Sequence, residues 1–297
     1  MDGSWVGPVE ASAEPHHRIL TVCGGTNRGA KAQENQDTFV VTDLRSRQIT
    51  RPCIRTEVLV SRAGVLMLVC DGAGGPAAGS VAAQLAAAAV KRELEAEGDN
   101  VSRAPGHALT HALAEANEAI LDEAQVYPEK RGMSATCTAA ILSWDRLAVA
   151  QVGDSRAYLV RKARLHTLTR DQTVASELLD AGILRPDQIE TFRYGHVLAQ
   201  ALGTDENVDP VISSVNLREG DRVLLCSDGL HRAISDDAIG IILNHAADAA
   251  AASKALIAAA LAAGGPDNIT VVVADCGPLK ARAAKLQLAS AGALAED

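Results

Sequence analysis

Five aspartates stand beside apolar runs of the kind that form buried strands. Asp71 directly follows Val65–Cys70, Asp228 follows Arg222–Cys226, Asp154 follows Leu147–Val152, Asp37 precedes Thr38–Val41, and Asp267 precedes Ile269–Asp275. One carboxylate at a strand end is ordinarily a turn former or a helix cap. Five are different: if the strand ends meet in space, like charges in a partly buried site repel by several kcal/mol each, and a cation removes that cost. Oxygen-only ligands, with no Cys or His among them, select hard ions such as Mg²⁺ or Mn²⁺ over zinc or copper. Gly72, Gly153 and Gly229, each next to one of these acids, let backbone carbonyls and water approach an ion closely. Two such ions about 4 Å apart share a carboxylate and strongly lower the pKa of a water between them, which suits hydrolysis of phosphate esters.

Other chemistries fit less well. Ser155 and Ser227 have no base nearby in sequence, so no Ser-His-Asp or Cys-His set stands out. Gly24 to Lys31 has the spacing of a phosphate-binding loop, but Ala30 stands where that motif needs Lys, and no Ser or Thr follows Lys31. The glycines at 72, 74, 75 and 79 follow a strand without the G-x-G-x-x-G spacing of a dinucleotide site. The six cysteines form no C-x-x-C pair, so Cys23, Cys70, Cys137 and Cys226, inside or beside apolar runs, are expected as buried free thiols, and the eight histidines form no His-Glu-x-x-His motif.

The elements that must position the acids follow from composition and punctuation. The chain has 297 residues, 47% of them hydrophobic, 22% charged and 2% aromatic, so a sizeable core must be built from Ala, Val, Leu and Ile. So few rings exclude a stacking platform for single-stranded nucleic acid, and a net charge of −9 argues against any general polyanion partner. No apolar run approaches the roughly 20 residues that cross a bilayer. Residues 1–17 lack an apolar signal core and are expected to be a mobile leader, and the protein to be soluble and cytoplasmic. Short strands are expected at Ile19–Cys23, Thr38–Val41, Val65–Cys70, Thr136–Leu142, Leu147–Val152, Ala157–Val160, Arg222–Cys226 and Ile269–Asp275. Helices are expected at Ala77–Glu95, Pro105–Gln125, Ser235–His245 and Ala249–Ala263, with a long hairpin or loop at 44–64 and a polar excursion at about 171–210. Closely spaced strands and paired helices in this order predict an α+β layering with antiparallel meanders rather than βαβ units.

Six motifs then fall in one order: Asn35-Gln36-Asp37, Asp71-Gly72-Ala73-Gly74-Gly75, Gly132-Met133-Ser134-Ala135-Thr136, Gly153-Asp154-Ser155-Arg156, Ser227-Asp228-Gly229-Leu230, and Gly265-Pro266-Asp267-Asn268-Ile269-Thr270. Together they resemble the bacterial PPM family, the protein phosphatase 2C-type metal-dependent Ser/Thr phosphatases, over residues 19 to 276. The resemblance implies a four-layer α-β-β-α sandwich of two antiparallel sheets flanked by helix pairs. It implies a phosphatase domain at 18–277 with a flap at about 171–210, and a C-terminal helix or tail at 278–297. It further implies that Asp71 bridges two Mn²⁺ or Mg²⁺ ions with the Gly72 carbonyl on one of them. Asp228 and Asp267 would hold the first ion, Asp37 would support the second through water, and Asp154 would match a third-metal ligand. The reaction would be hydrolysis of phosphoserine and phosphothreonine on proteins by a metal-activated water, by a monomer opposing a cognate bacterial Ser/Thr kinase, with no nucleic-acid or membrane partner. The rival from another class is a non-catalytic PPM-like phosphoprotein-binding module, and a third reading is hydrolysis of small phosphate esters.

Three positions depart from the family pattern. Ala32 stands where the family usually has an Arg that contacts substrate phosphate, leaving Lys31 and Arg28 as candidate point-charge substitutes. Ala73 replaces the common Met, a packing change. The 44–64 segment is longer than the family's usual hairpin and carries Arg45, Arg47, Arg51, Arg55 and Arg62, either as a solvated tip or as a dock for acidic phosphoproteins.

Overall fold

The computed structural model describes residues 17–48, 52–188 and 192–280. It contains thirteen strands and six α-helices in the order β1 (His17–Asn27), β2 (Thr38–Asp43), β3 (Thr56–Leu59), β4 (Val65–Cys70), β5 (Gly72–Ala73), α1 (Pro76–Glu97), α2 (Pro105–Val126), β6 (Ser134–Ala135), β7 (Cys137–Ser143), β8 (Arg146–Val152), β9 (Arg156–Arg161), β10 (Arg164–Thr167), α3 (Val174–Asp180), β11 (Val211–Asn216), β12 (Arg222–Cys226), α4 (Asp228–His231), α5 (Asp236–His245), α6 (Ala249–Ala262) and β13 (Ile269–Lys280). One sheet runs β10-β9-β12-β13-β1-β3, the second runs β11-β8-β7-β4-β2, and β5 pairs with β6 in a two-residue ladder. Neighbouring strands are antiparallel throughout.

The strand periodicity builds four layers. In β4 every residue is buried, and alternation divides them: Leu66, Leu68 and Cys70 pack under α1 and α2, while Val65, Met67 and Val69 face the other sheet. In β12, Val223 and Leu225 enter the space between the sheets, and Leu224 and Cys226 face α5 and α6. Both sheets are thus covered on both faces, the α-β-β-α sandwich that the motifs imply. Alanines carry much of the helix packing: Ala82, Ala83, Ala86, Ala89 and, on α2, Ala112 and Ala116 are buried, which lets backbones approach in a core poor in rings.

Several bounds differ from the sequence reading. The 44–64 stretch is not all loop, because β3 within it pairs with β1 as an edge strand. β10 and β11 extend the two sheets at their edges, β11 alternating half-buried and exposed residues and β10 mostly exposed. The turn expected at Ser227-Asp228-Gly229 opens a single helical turn, α4. β13 continues past 277 to Lys280, so the start of the expected tail is strand; 281–297, and the leader apart from His17, lie outside the described residues.

Candidate metal centre

The strands deliver the acids to one end of the sandwich. β4 ends at Cys70, β8 at Val152 and β12 at Cys226, while β2 and β13 begin at Thr38 and Ile269. Antiparallel order puts all five flanking aspartates at this end. A cleft of about 330 Å³ there is lined by Asp71, Gly72, Asp154, Asp228 and Asp267, with Gln36, Thr136, His196, Leu198 and Arg232 completing the wall. Asp37 lies buried beneath, within the electrostatic reach of Asp71 and Asp228.

Backbone contacts fix these positions tightly. A Cβ on Gly72 would lie 2.0 Å from the Gly79 carbonyl oxygen, so only glycine lets the first turn of α1 close on the strand end. Likewise a Cβ on Gly229 would lie 1.9 Å from the Asn268 carbonyl oxygen. Asn268 clamps two segments, its side-chain amide donating to the carbonyls of Arg28 (2.8 Å) and Glu34 (2.9 Å) while its Oδ1 accepts from Gln36 N–H at 2.7 Å. The Ser227 hydroxyl donates to Asp37 Oδ2 at 2.7 Å and accepts from Thr270 N–H at 3.0 Å. The Thr136 N–H donates to the Asp71 carbonyl at 2.8 Å, and the Gly153 N–H donates to Gln172 Oε1 at 2.8 Å, tying the Asp154 loop to the base of the flap.

The carboxylates are in conflict with their surroundings. Burial pushes the Asp37 carboxyl up to about 7, against the hydrogen bond from Ser227. Asp71 is pushed well above the carboxylate range by burial first, then by Asp37 and Asp228. Asp154 rises to about 7 through burial and the field of Asp228, with Arg232 opposing, and burial likewise raises Asp228. Asp37 Oδ1 and Asp228 Oδ1 are buried with no hydrogen-bond partner. A buried, unpartnered carboxylate oxygen is costly, and a hard cation is the ligand that resolves it. Among the described residues no three His, Cys, Asp or Glu side chains already converge as a ready-made cage. The donor chemistry, all oxygen, nonetheless fits Mn²⁺ or Mg²⁺.

The wider sequence expectations divide in space. Ala32 lines a neighbouring hollow of about 250 Å³ that shares Gln36 and Asp267 with the cleft. Lys31 and Arg28 are exposed and line neither cavity; the Arg28 guanidinium donates to the Gln33 carbonyl at 3.1 Å. Of the arginines of 44–64, Arg55 pairs with Glu57 at 3.0 Å and Arg62 donates to Ser102 at 3.2 Å, while Arg51 lies outside the described residues. Arg232 and His196, which no motif singled out, stand in the cleft wall. The one signal for Arg232 was its position four residues after Asp228; His196 had none.

Comparison with known proteins agrees with this geometry. A family model, protein phosphatase 2C, matches residues 55–262. The chain belongs to the protein phosphatase 2C family. The serine/threonine protein phosphatase PstP of Mycobacterium tuberculosis (strain H37Rv) is 38% identical over 212 residues, 71% of this chain but 40% of PstP, so the chain spans less than half that relative's length. Protein phosphatase PhpP of Streptococcus pneumoniae is 33% identical over 218 residues, covering 72% of this chain and 87% of PhpP. Among solved structures, the catalytic domain of PstP in complex with two manganese ions has a TM-score of 0.71 at 32% identity, over 88% of this chain and all (100%) of that one.

Proposed function

We propose that this protein is a metal-dependent protein-serine/threonine phosphatase, hydrolysing phosphoserine and phosphothreonine at a centre of two Mn²⁺ or Mg²⁺ ions. The observation that carries the reading is the pair of buried carboxylate oxygens without partners, Asp37 Oδ1 and Asp228 Oδ1, in a cleft rimmed by three further aspartates. Asp71, Asp228, Asp267 and the Gly72 carbonyl would hold the ions, with Asp37 supporting from below. When bound, the ions supply an activated water as nucleophile and neutralise charge on the phosphoryl oxygens.

The chain's own residues do the rest. Ser227 orients Asp37 by engaging Oδ2 and leaving Oδ1 free. Among the described residues His196 is the one imidazole lining the cleft, and it would be the candidate general acid toward the departing serine or threonine oxygen. The flap segment that carries it also exposes Tyr194 (54%) and Val197 (48%), apolar surface that a protein substrate can cover and a small metabolite cannot. All six cysteines are free thiols, which supports a reducing compartment such as the cytoplasm, where a cognate Ser/Thr kinase would make the substrate.

The test is phosphate release from a phosphothreonine peptide with Mn²⁺ and with chelator. Turnover that chelator abolishes and Mn²⁺ restores is expected. Stoichiometric binding of the peptide without turnover would instead establish the non-catalytic module, and faster turnover of small phosphate esters than of phosphopeptides would establish a metabolite phosphatase.

A further inference from the structure

Asp154 and Asp228 already share a cation. α4 is a single turn, and it sets Arg232 four residues beyond Asp228, where a side chain leans back over the preceding turn. Arg232 Nη1 lies 2.7 Å from Asp228 Oδ2 and its Nη2 lies 3.1 Å from Asp154 Oδ2. The Arg232 amide donates to the Asp228 carbonyl at 2.9 Å, which locks the turn. His231 Nε2 lies 3.0 Å from the Asp154 carbonyl. A carbonyl oxygen only accepts, so the Nε2–H is the donor. Two consecutive residues therefore hold Asp154, one by its carboxylate and one by its backbone. Asp228 is divided between two tasks: Oδ2 goes to the guanidinium, while Oδ1 stays buried and unpartnered.

The neighbouring arginine is not available for this work. Arg156 grips Asp171 through two bonds of 2.8 and 2.7 Å and also donates to Tyr158, away from the cleft. Among the described residues that line the cleft, Arg232 is the one guanidinium, and its side chain is 29% exposed.

We propose that Arg232 is a built-in cation of this centre: it occupies Asp154 and the Oδ2 of Asp228, so the centre takes two divalent ions, and removing Arg232 opens a third ion position between those carboxylates. The proposal rests on the two-ion reading above and departs from the family expectation that Asp154 is itself a metal ligand. A dication and a guanidinium do not share the same pair of oxygens, because like charges at that spacing repel. Arg232 is thus a positioning residue for the ligands, holding Asp228 so that Oδ1 faces the ion.

The experiment counts ions rather than turnover: Mn²⁺ stoichiometry by calorimetry, and by elemental analysis after equilibrium dialysis, at neutral pH. The expected counts are two for the native protein, two for Asp154→Asn, three for Arg232→Gln and two for the double variant. Arg232→Lys, which keeps a charge and guards against a folding defect in the glutamine variant, is expected to bind two. A native count of three that falls to two in Asp154→Asn overturns the proposal, and so does Arg232→Gln remaining at two. A native count of zero overturns the two-ion reading itself, a result distinct from either of those.

Discussion

The two ends of the sandwich treat buried aspartates in opposite ways. At the end remote from the cleft, Asp221 is 3% exposed and accepts from Arg161, from Nε at 3.0 and 3.3 Å and from Nη2 at 2.6 Å. Arg222 pairs with Asp275 across the β12–β13 ladder, and buried Arg18 donates to the carbonyls of Gly277 (2.9 Å) and Leu217 (3.2 Å). There each of the two carboxylates has a guanidinium of its own. At the cleft, four aspartates line the wall and a fifth, Asp37, lies beneath; the guanidinium of Arg232 reaches two of them, and two buried oxygens have no partner. The strands reach both ends with the same kind of side chain, so burial alone does not make a functional acid. What differs is whether the protein supplies the counter-charge, and where it does not, it has left room for an ion.

Removing one acid at each end separates these roles most sharply. On the proposed two-ion reading, Asp71→Ala is expected to lower phosphatase turnover by about three orders of magnitude, since it would take away a charged ligand worth several kcal/mol to the reaction. The same variant without metal should melt no lower than the native protein, because a carboxylate held well above its ordinary range is a destabilising one. Steady-state kinetics and calorimetry on one preparation check both halves; full activity in Asp71→Ala would end the two-ion model. Asp221→Ala should do the reverse, costing about 3 kcal/mol of stability by stranding Arg161, with turnover per folded molecule intact. An equal loss of activity there would mean that the two ends are coupled.

pH gives the next contrast. Asp37 and Asp154 have folded values raised to about 7 from the unfolded 3.8, so each contributes stability that is full below about 4 and lost as pH rises through about 7. The metal-free protein should therefore melt at a higher temperature at pH 5.5 than at pH 8, and Mn²⁺ should raise the midpoint more at pH 8 than at pH 5.5. Scanning calorimetry at both pH values, with and without metal, decides it. A metal-free midpoint that rises with pH would show that the cleft carboxylates are matched after all.

The smallest effects concern the phosphate side of the cleft. Ala32→Arg adds a guanidinium in the hollow beside Asp267 and is expected to lower KM for a phosphopeptide by about threefold, the worth of an exposed charge contact. Lys31→Ala should change KM by less, since Lys31 lines neither cavity. A larger rise in KM for Lys31→Ala would place that side chain on the substrate.

Much of the fold was legible because its central strands are buried on both faces. Val65–Cys70 and Arg222–Cys226 read as unbroken apolar runs closed by an acidic turn, and both have those bounds in the structure. The Ser235 side chain caps α5 by accepting from Ala238 N–H at 3.3 Å, where a helix start was expected. The edge strands were not legible. β10 and β11 mix polar and apolar residues on half-exposed faces, so their pairing partners rather than their own hydrophobicity make them strands.

The sequence by itself determined which acids could matter and what would bind them: aspartates at strand ends, glycines where backbones touch, and no sulfur or imidazole among the candidate ligands. Those are local facts, set by residue type and by neighbours one or two positions away. It could not decide how the charges are shared, because a counter-charge is a matter of distance in space. Arg28 and Lys31, near Asp37 in the chain, line neither cavity, while Arg232 bridges Asp228 to Asp154 across 78 positions of sequence. Only the stacking of the two sheets, which ends β8 and β12 at the same edge, and the single turn of α4 bring those three side chains together, and Coulomb energy responds to that separation alone.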